Sequence, residues 1–309
     1  MIEGSKLDFL KTIAEKEGAA VITFIASDKV VRINPASYDT TSISTNDAYE
    51  LEKVIDESCR GIDKAFMLLH SPGGSLTASY NIARFLQKRF KHLHIFVPYE
   101  AASGATLMSL AANKITLGDL GYLTPIDPQL SYKGGWVSSY GIVEEVDMLE
   151  KKFKNMRPEE MPIPWKQMAE KLDIVLYREM DTLVWEAQEY AVKLLKGAGY
   201  NDDVARAVAY RLARTPYSHG HCFGREECEA MKLNIDSSGK SVGYLLEMKK
   251  LISIVNEEEG LGVGHFIRAV TPGKNNQSAA GSSLAAPKEG GTQTHTRSLK
   301  RTAIARKKS

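Results

Sequence analysis

Short apolar runs alternate along the first half of the chain with segments in which apolar residues recur at helical spacing. The apolar runs predict four buried strands at 19–25, 65–69, 94–98 and 114–117. The helical patterns between them cover 46–58, 75–90 and 104–112. Alternating strands and helices favour parallel pairing with right-handed crossovers, and near-continuous apolar strands suit a sheet covered on both faces. The pattern therefore predicts an α/β fold, with His94 at the surface of its third strand.

The second half of the chain is mainly helical in pattern. Residues 131–142 are polar and contain several glycines, which is typical of a mobile loop. Helical patterns follow at 164–196, where a break is expected, and at 201–213, 225–233 and 240–256. We therefore expect one α/β domain over 1–271 with a helical C-terminal part, followed by a tail over 272–309.

The tail differs from the rest of the chain in composition and charge. It is rich in Gly, Ser, Ala, Thr and Lys, and it carries eight lysines or arginines against one glutamate. Its net charge near +7 leaves about −5 on the remainder of a chain that totals +2. Because it has few large apolar residues to offset its ordering entropy, we expect disorder. A solubilising tail is the favoured interpretation, and contact with nucleic acid or an acidic surface is the alternative.

Composition narrows the class of protein further. Apolar residues make up 43% of the 309 positions, enough for a substantial core. No apolar run approaches the roughly 18 residues of a transmembrane helix, and the first residues lack the pattern of a secretory signal. Cys59, Cys222 and Cys228 have neither a disulfide framework nor metal-ligand spacing. We therefore expect reduced thiols, no metal, no membrane partner and a cytoplasmic location.

Two strand-to-helix turns carry the residues best suited to chemistry. One turn, over 70–75, contains Gly73 and Gly74, and the other, over 99–106, contains Ser103 among very small residues. The carboxyl ends of neighbouring parallel strands meet at one edge of a sheet. A nucleophile and two backbone amides can therefore lie side by side there. The alternatives are an N-cap serine and a Pro-Gly turn, neither of which requires catalysis.

Three short motifs, taken in order, resemble one family. They are His-Ser-Pro-Gly-Gly at 70–74, Ala-Ser-Gly at 102–104 and Thr-Pro-Ile-Asp-Pro-Gln-Leu at 124–130. Together they resemble the serine dehydrogenase proteinase family, within the superfamily of Clp protease subunits, signal peptide peptidase A and crotonases. The resemblance extends over about 19–235. It implies a ClpP/crotonase-like fold of repeated ββα units, homo-oligomers, and serine hydrolysis of peptide bonds without a cofactor.

The family pattern assigns roles to the residues of the two turns. It implies Ser103 as the nucleophile and the amides of Gly74 and Gly104 as the oxyanion hole. Gly73 is the further candidate beside them, because a side chain in this turn would block the substrate carbonyl. Losing one oxyanion donor typically costs about 3 kcal/mol in the transition state.

The general base is the least defined member of this site. Clp protease subunits have a histidine in the region where this chain has Pro-Ile-Asp-Pro, at 125–128, without a histidine. A histidine follows later, near the family's aspartate position, so we hypothesise that His219 is the base and Asp127 orients it. His221 is the second histidine candidate. A lysine base, as in signal peptide peptidase A, is the alternative, with candidates Lys133, Lys151 and Lys152.

The sequence thus predicts an ATP-independent serine endopeptidase that acts on polypeptides. A crotonase-like enzyme for acyl thioesters and an inactive scaffold or peptide-binding protein are the alternatives. The missing histidine near Asp127 keeps the scaffold open as an alternative, whereas Ser103 argues against the thioester enzyme, whose chemistry needs no serine there. Tyr132, Trp136 and Tyr140 can line a groove for an extended substrate or pack a subunit interface.

Overall fold

The computed structural model describes residues 7–26, 41–132, 135–171, 173–214, 218–257 and 264–273. Its strands are β1 (Ala20–Ala26), β2 (Lys64–His70), β3 (His92–Val97), β4 (Glu100–Ala101), β5 (Lys114–Leu117), β6 (Tyr122–Leu123), β7 (Gln129–Tyr132), β8 (Gly135–Ser138) and β9 (His265–Val270). Its helices are α1 (Asp8–Glu17), α2 (Thr45–Ser58), α3 (Leu76–Arg89), α4 (Gly104–Ser109), α5 (Ser139–Phe153), α6 (Ile163–Glu170), α7 (Ile174–Gly197), α8 (Asp202–Ala213), α9 (Arg225–Ala230), α10 (Gly239–Met248) and α11 (Lys250–Glu257). A single 3-10 turn, Pro158–Glu160, lies between α5 and α6.

A five-stranded sheet in the order β5-β3-β2-β1-β9 forms the centre of the fold. Strands β5, β3, β2 and β1 are parallel, with His94 of β3 opposite Lys114 of β5. Strand β9 runs antiparallel to β1, with His265 opposite Ala26. The predicted α/β fold with a mostly parallel sheet is confirmed, and the carboxyl ends of its parallel strands meet at one edge.

Short strands form a second layer beyond this edge. Strand β4 pairs in parallel with β6, and Ser71, just after β2, forms a parallel bridge with Ala101 of β4. The Ser71 amide donates to the Glu100 carbonyl at 3.1 Å, and the Ala102 amide donates to the Ser71 carbonyl at 3.0 Å. Two units therefore repeat the same order: β2, the bridge at Ser71 and α3, then β3, β4 and α4. They bring the turns that precede α3 and α4 together.

Helices cover both faces of the central sheet. One buried apolar cluster joins the sheet to α2, α3, α4, α7 and α8. A second cluster joins the opposite face to α1, α10 and α11, with Phe66 and Phe96 among its members. All seven residues of β1 are buried. This two-sided burial explains why the predicted strands are apolar without alternation.

The prediction of a mobile loop at 131–142 is wrong for the described residues. Strands β7 and β8 pair antiparallel as a hairpin, and α5 follows directly. The Ser138 hydroxyl accepts a hydrogen bond from the Gly141 amide at 3.0 Å and so caps α5. The hairpin packs little against the core, since Trp136 is 72% exposed. Because neither face of the hairpin is buried, its sequence lacks the alternation of apolar and polar residues that predicts a strand.

Three other features differ from the pattern-based predictions. Helix α1 and strand β9 were not predicted, because neither contains a long apolar run. His94 is buried rather than exposed, and its Nε2 is hydrogen-bonded to Thr116 Oγ1 at 2.8 Å. The expected break in 164–196 falls between α6 and α7, and the pattern at 240–256 divides into α10 and α11.

The remaining expectations concern the tail, the thiols and the helix lengths. From residue 274 onward the predicted disordered tail lies outside the described residues. Cys59 and Cys228 are buried free thiols and Cys222 is an exposed one. Within the described ranges, no helix has the length and apolar character to cross a membrane, and no three potential metal-ligating side chains cluster.

Candidate active site

Ser103 lies between β4 and α4 in a strained backbone conformation, with φ of 48° and ψ of −113°. For a residue with a Cβ, such a conformation costs on the order of 1–3 kcal/mol of free energy, and it persists only where the surrounding structure holds it. The Ser103 amide donates to Thr124 Oγ1 at 2.7 Å, and its carbonyl accepts from the Leu107 amide at 3.0 Å. Strain held in this way is concentrated at functional sites, so the turn is a candidate for chemistry.

The Ser103 hydroxyl is not used by the helix that follows it. Ser103 occupies the N-cap position of α4, but its side chain makes no capping hydrogen bond. The matching serine before α3 does cap, because Ser75 Oγ accepts from the Ala78 amide at 3.3 Å. Ser103 is also partly exposed. Its hydroxyl is therefore open to a substrate, and the N-cap interpretation does not explain this serine.

The glycine turn before α3 touches the Ser103 turn directly. Gly73 and Gly74 have φ of 99° and 148°, a region that L side chains rarely adopt. A Cβ on Gly73 would lie 2.8 Å from Ser103 Cβ and 2.9 Å from the Gly104 nitrogen. A Cβ on Gly104 would lie 3.2 Å from the Gly74 nitrogen. Only glycine fits where the two turns meet.

Two backbone donors at this contact are unused by the rest of the fold. Within the described ranges, neither the Gly74 nor the Gly104 amide donates a hydrogen bond, whereas the Gly73 amide donates to Ser71 Oγ at 3.2 Å. Buried backbone amides rarely lack a partner, except in the first turn of a helix, which is where Gly104 lies. A pair of unused amides beside a serine has the composition that an oxyanion hole requires.

Asp127 and His219, 92 residues apart in sequence, are hydrogen-bonded, with Nδ1 2.7 Å from Asp127 Oδ1. The Asp127 side chain is 3% exposed and the His219 side chain is 25% exposed. A carboxylate acceptor assigns the hydrogen to Nδ1 and leaves Nε2 as the basic nitrogen. The bridge between Leu123 and Phe223, with amide-to-carbonyl distances of 3.1 and 2.8 Å, holds their two segments side by side.

Thr124 joins the Asp127 segment to the nucleophile turn. Its Oγ1 accepts from the Ser103 amide, and its own amide donates to Thr106 Oγ1 at 2.9 Å. Thr106 Oγ1 in turn donates to the Ala101 carbonyl at 2.6 Å. Both threonines are buried. Their roles were not deduced from the sequence, although Thr124 opens the Thr-Pro-Ile-Asp-Pro motif that carries Asp127.

The structure does not join every proposed member of the site. In the part of the chain that is described, no hydrogen bond connects His219 with the Ser103 hydroxyl. His221 is engaged elsewhere: its Nε2 lies 3.3 Å from Glu227 Oε1, and its ring packs against Phe223. The Asp127–His219 pair and the Ser103 turn are thus two preformed halves, linked through Thr124.

The lysine alternatives have little support from their surroundings. Lys151 and Lys152 lie exposed in the last turn of α5, with the Lys152 ammonium 4.7 Å from the centroid of the Trp165 ring. A catalytic lysine needs a desolvated environment, which these positions lack. Lys133 lies outside the described residues.

A sequence model of the ClpP-like SDH-type serine proteinases matches residues 2–256. The chain belongs to this family. The resemblance that the three motifs carry is thereby confirmed, and a family of serine proteinases supports a hydrolase that acts on polypeptides. The family match does not by itself assign roles to individual side chains.

Individual relatives are distant. The uncharacterized protein MJ0137 of Methanocaldococcus jannaschii is 25% identical over 251 residues, 80% of this chain and 79% of that protein. The uncharacterized protein MJ1495 of the same organism is 22% identical over 59% of this chain and 56% of its own length. Two mutant structures of the 1510-N membrane-bound stomatin-specific protease, one with a substrate peptide, have TM-scores of 0.42 and 0.41 at 14% identity. They cover 66% and 65% of this chain and 80% and 74% of those chains.

Proposed function

We propose that this protein is an ATP-independent serine endopeptidase that cleaves polypeptides through Ser103. The observation that carries the proposal is the strained, non-capping Ser103 at the contact of two turns, where the amides of Gly74 and Gly104 are unused. Neither a structural N-cap nor a simple turn accounts for this combination. Membership of a serine proteinase family supports the same reaction class.

The proposed reaction follows from the two halves of the site. The Ser103 oxygen attacks the substrate carbonyl while His219 Nε2 takes the hydroxyl proton, and Asp127 holds the ring in the required tautomer. The amides of Gly74 and Gly104 donate to the oxygen that becomes negative. His219 then gives its proton to the leaving amine, and the peptide bond breaks. Water, deprotonated by the same imidazole, releases the acyl group and restores Ser103.

This mechanism requires His219 to come within hydrogen-bond distance of Ser103. Catalytic hydrogen bonds are often long or absent in unliganded enzymes and form in the substrate complex. The His219 ring is a quarter exposed, so its surroundings do not fully enclose it, whereas the Asp127 carboxylate that it binds is buried. Binding of a substrate is therefore proposed to complete the triad.

The test is labelling of Ser103 by a rhodamine fluorophosphonate. We compare the wild type with Ser103→Ala and His219→Ala, and use Ser138→Ala, which removes the cap of α5, and His221→Ala as matched controls. Loss of labelling in the first two variants, with the controls labelled normally, supports the proposed triad. Loss of labelling only in Ser103→Ala indicates that another residue, not His219, is the general base. A wild type that is never labelled overturns the peptidase and favours the scaffold.

We also propose that the chain acts as a homo-oligomer in the cytoplasm. Large apolar side chains are exposed along α6 and α7, namely Ile163, Ile174, Val175 and Trp185. Burial of such side chains in a subunit interface is favourable. Val175→Asp is expected to lower the molar mass measured by light scattering, whereas Leu120→Asp, at an equally exposed position, leaves it unchanged. A monomeric wild type contradicts this proposal.

A further inference from the structure

A second carboxylate, imidazole and hydroxyl lie in series behind the glycine turn. His265 Nδ1 lies 3.0 Å from Asp47 Oδ1, and His265 Nε2 lies 2.9 Å from Ser71 Oγ. The Phe24 ring packs on the imidazole, with ring centroids 4.3 Å apart. We call Ser71, His265 and Asp47 the buried network. His265 lies beyond residues 2–256, the part that the family model matches.

Burial excludes the network from direct chemistry on a substrate. Ser71 and the His265 side chain are 0% exposed, and the Asp47 side chain is 12% exposed. The Ser71 hydroxyl oxygen also accepts the Gly73 amide hydrogen at 3.2 Å. A substrate carbonyl could reach this oxygen only if the strand ends separated. The network therefore acts through the groups that it contacts.

One end of the network holds both turns of the candidate active site. Ser71 binds the Gly73 amide through its side chain. Its backbone pairs with Glu100 and Ala102 on either side of Ala101, in the strand that leads to Ser103. A displacement of Ser71 would therefore move the glycine turn relative to the nucleophile.

The other end of the network is connected to the same turn through the residues that precede α2. Asp47 Oδ2 accepts from the Ser44 amide and hydroxyl, both at 2.7 Å, at the start of α2. The neighbouring Ile43 amide donates to the Gly73 carbonyl at 2.7 Å, and the Ser75 amide donates to the Ile43 carbonyl at 2.8 Å. The contacts form a closed ring from the Gly73 amide, through the network and α2, back to the Gly73 carbonyl.

From the Gly73 amide to the Asp47 carboxylate, the hydrogen bonds of the ring can run in one direction, and the carboxylate accepts from Ser44 on its other side. Burial alone would raise the pKa of Asp47, but hydrogen bonds from His265 and Ser44 outweigh it and lower the pKa, so the carboxylate is ionised. An ionised acceptor fixes the hydrogen on His265 Nδ1. When the ring is neutral, Nε2 accepts the Ser71 hydroxyl hydrogen, and the Ser71 oxygen accepts from the Gly73 amide. Chains of this kind strengthen their members in a dry interior.

We propose that the buried network is a positioning device that fixes the Gly73–Gly74 turn so that the Gly74 amide meets the oxyanion. The inference rests on the proposed function, because it concerns the amide assigned to the oxyanion hole there. Ser71, His265 and Asp47 are positioning residues, not catalytic ones. Displacement of a donor by about 1 Å is enough to slow a reaction roughly 100-fold.

The experiment uses Ser71→Ala as the main variant and His265→Phe, which keeps a ring against Phe24, as the second. Thr116→Val is the matched control. It likewise removes a hydroxyl that is hydrogen-bonded to a buried imidazole, that of His94. The first readout is the fluorophosphonate reaction, resolved into a maximal rate and a half-saturating concentration. The second is hydrogen exchange, by mass spectrometry, of the peptide that spans Gly73.

We expect Ser71→Ala to lower the maximal labelling rate roughly 10- to 100-fold and to change the half-saturating concentration less than about 2-fold. Exchange of the Gly73 peptide is expected to accelerate in Ser71→Ala and His265→Phe but not in Thr116→Val. An unchanged rate and unchanged exchange in Ser71→Ala overturn the proposal. Equal effects in Thr116→Val also overturn it, because they indicate general loosening.

The two readouts separate this proposal from the proposed function. If the wild type is not labelled, the peptidase assignment fails, and exchange alone decides whether the network holds the turn. If His265→Phe does not fold, Ser71→Ala still decides, because it removes a single oxygen atom. Labelling that persists at the wild-type rate while exchange accelerates overturns the link between the network and the oxyanion hole.

Discussion

Two aspartate–histidine pairs among the described residues have nearly the same hydrogen-bond length and different surroundings. The Asp127–His219 pair is joined at 2.7 Å and has a ring that is 25% exposed. The Asp47–His265 pair is joined at 3.0 Å and has a fully buried ring. In both pairs the aspartate side chain is largely buried. The two pairs differ in the surroundings of the second ring nitrogen, Nε2.

What each pair can do depends on Nε2, the ring nitrogen that does not bind the carboxylate. His265 Nε2 is already bound to the buried Ser71 hydroxyl, so this imidazole can only hold structure. His219 Nε2 has no hydrogen bond to Ser103 within the described ranges, and its ring reaches solvent. The comparison teaches that an Asp–His pair becomes a candidate base only where its second nitrogen is left open beside an accessible nucleophile.

Asp127→Asn tests the comparison with the largest expected effect. The amide can donate to Nδ1 and stabilise the wrong tautomer of His219, so the rate of Ser103 labelling should fall about 10³- to 10⁴-fold. Asp47→Asn should lower it only about 10- to 100-fold, because it acts through the glycine turn. Glu227→Gln, in the partly exposed pair with His221, is the control and should have no effect. Equal losses in the two aspartate variants would remove the distinction between a catalytic and a positioning pair.

Stability should rank the two pairs in the opposite order. His265→Ala leaves the carboxylate of Asp47 buried without its imidazole, which typically costs about 3–5 kcal/mol of unfolding free energy. His219→Ala should cost less, about 1–2 kcal/mol, because water can reach the vacated position beside Asp127. Urea denaturation of both variants measures the difference. A larger loss in His219→Ala would show that the partly exposed pair carries more of the stability.

His94, a buried imidazole bound to a hydroxyl, sharpens the role of the carboxylate in the two pairs. His94 is bound to Thr116 rather than to an aspartate, and burial lowers its pKa from 6.5 to about 4. The unfolded chain therefore binds a proton more readily than the folded one between these values, and stability falls as pH falls from 6.5 through 4. The loss attributable to His94 is at most about 3 kcal/mol.

Unfolding free energies measured across pH 4–7 check this prediction. His94→Asn should flatten the slope, while His92→Asn, at an exposed position of the same strand, controls for loss of an imidazole. An unchanged slope in His94→Asn would mean that the acid sensitivity resides in other groups.

The smallest expected effect concerns the two serines that precede helices. Ser75→Ala removes a capping acceptor and should cost about 1 kcal/mol of stability. Ser103→Ala removes no capping bond and should change stability by less than about 0.5 kcal/mol, although it abolishes labelling. Thermal unfolding of the two variants measures this contrast. A comparable loss in Ser103→Ala would restore the N-cap interpretation.

Local patterns predicted the parts of the molecule that depend on near neighbours. The apolar runs became β1, β2, β3 and β5, and the turns with Gly73 and Ser103 came together because each follows a parallel strand. The hypothesis that His219 and Asp127 act together required the family resemblance. Their hydrogen bond is present, and their catalytic roles are proposals.

The features that were missed depend on distant segments. Asp47 and His265 are 218 residues apart, and strand β9 brings them together by pairing antiparallel with β1. No periodicity in a six-residue strand indicates such a partner. His94 was placed at the surface because a polar residue at the start of a strand usually lies there. Packing of α10 against the sheet, with Tyr244 beside Phe66, covers that position instead.

The sequence by itself determined the alternation of strands and helices and the two small-residue turns, because side-chain size and apolar spacing act over a few residues. Tertiary structure decided which hydroxyl is exposed and which is buried, which amides stay unpaired, and which imidazole keeps a free nitrogen. Those properties depend on what packs against each group from elsewhere in the chain. The same Ser, His and Asp chemistry therefore has different consequences at Ser103 and at Ser71.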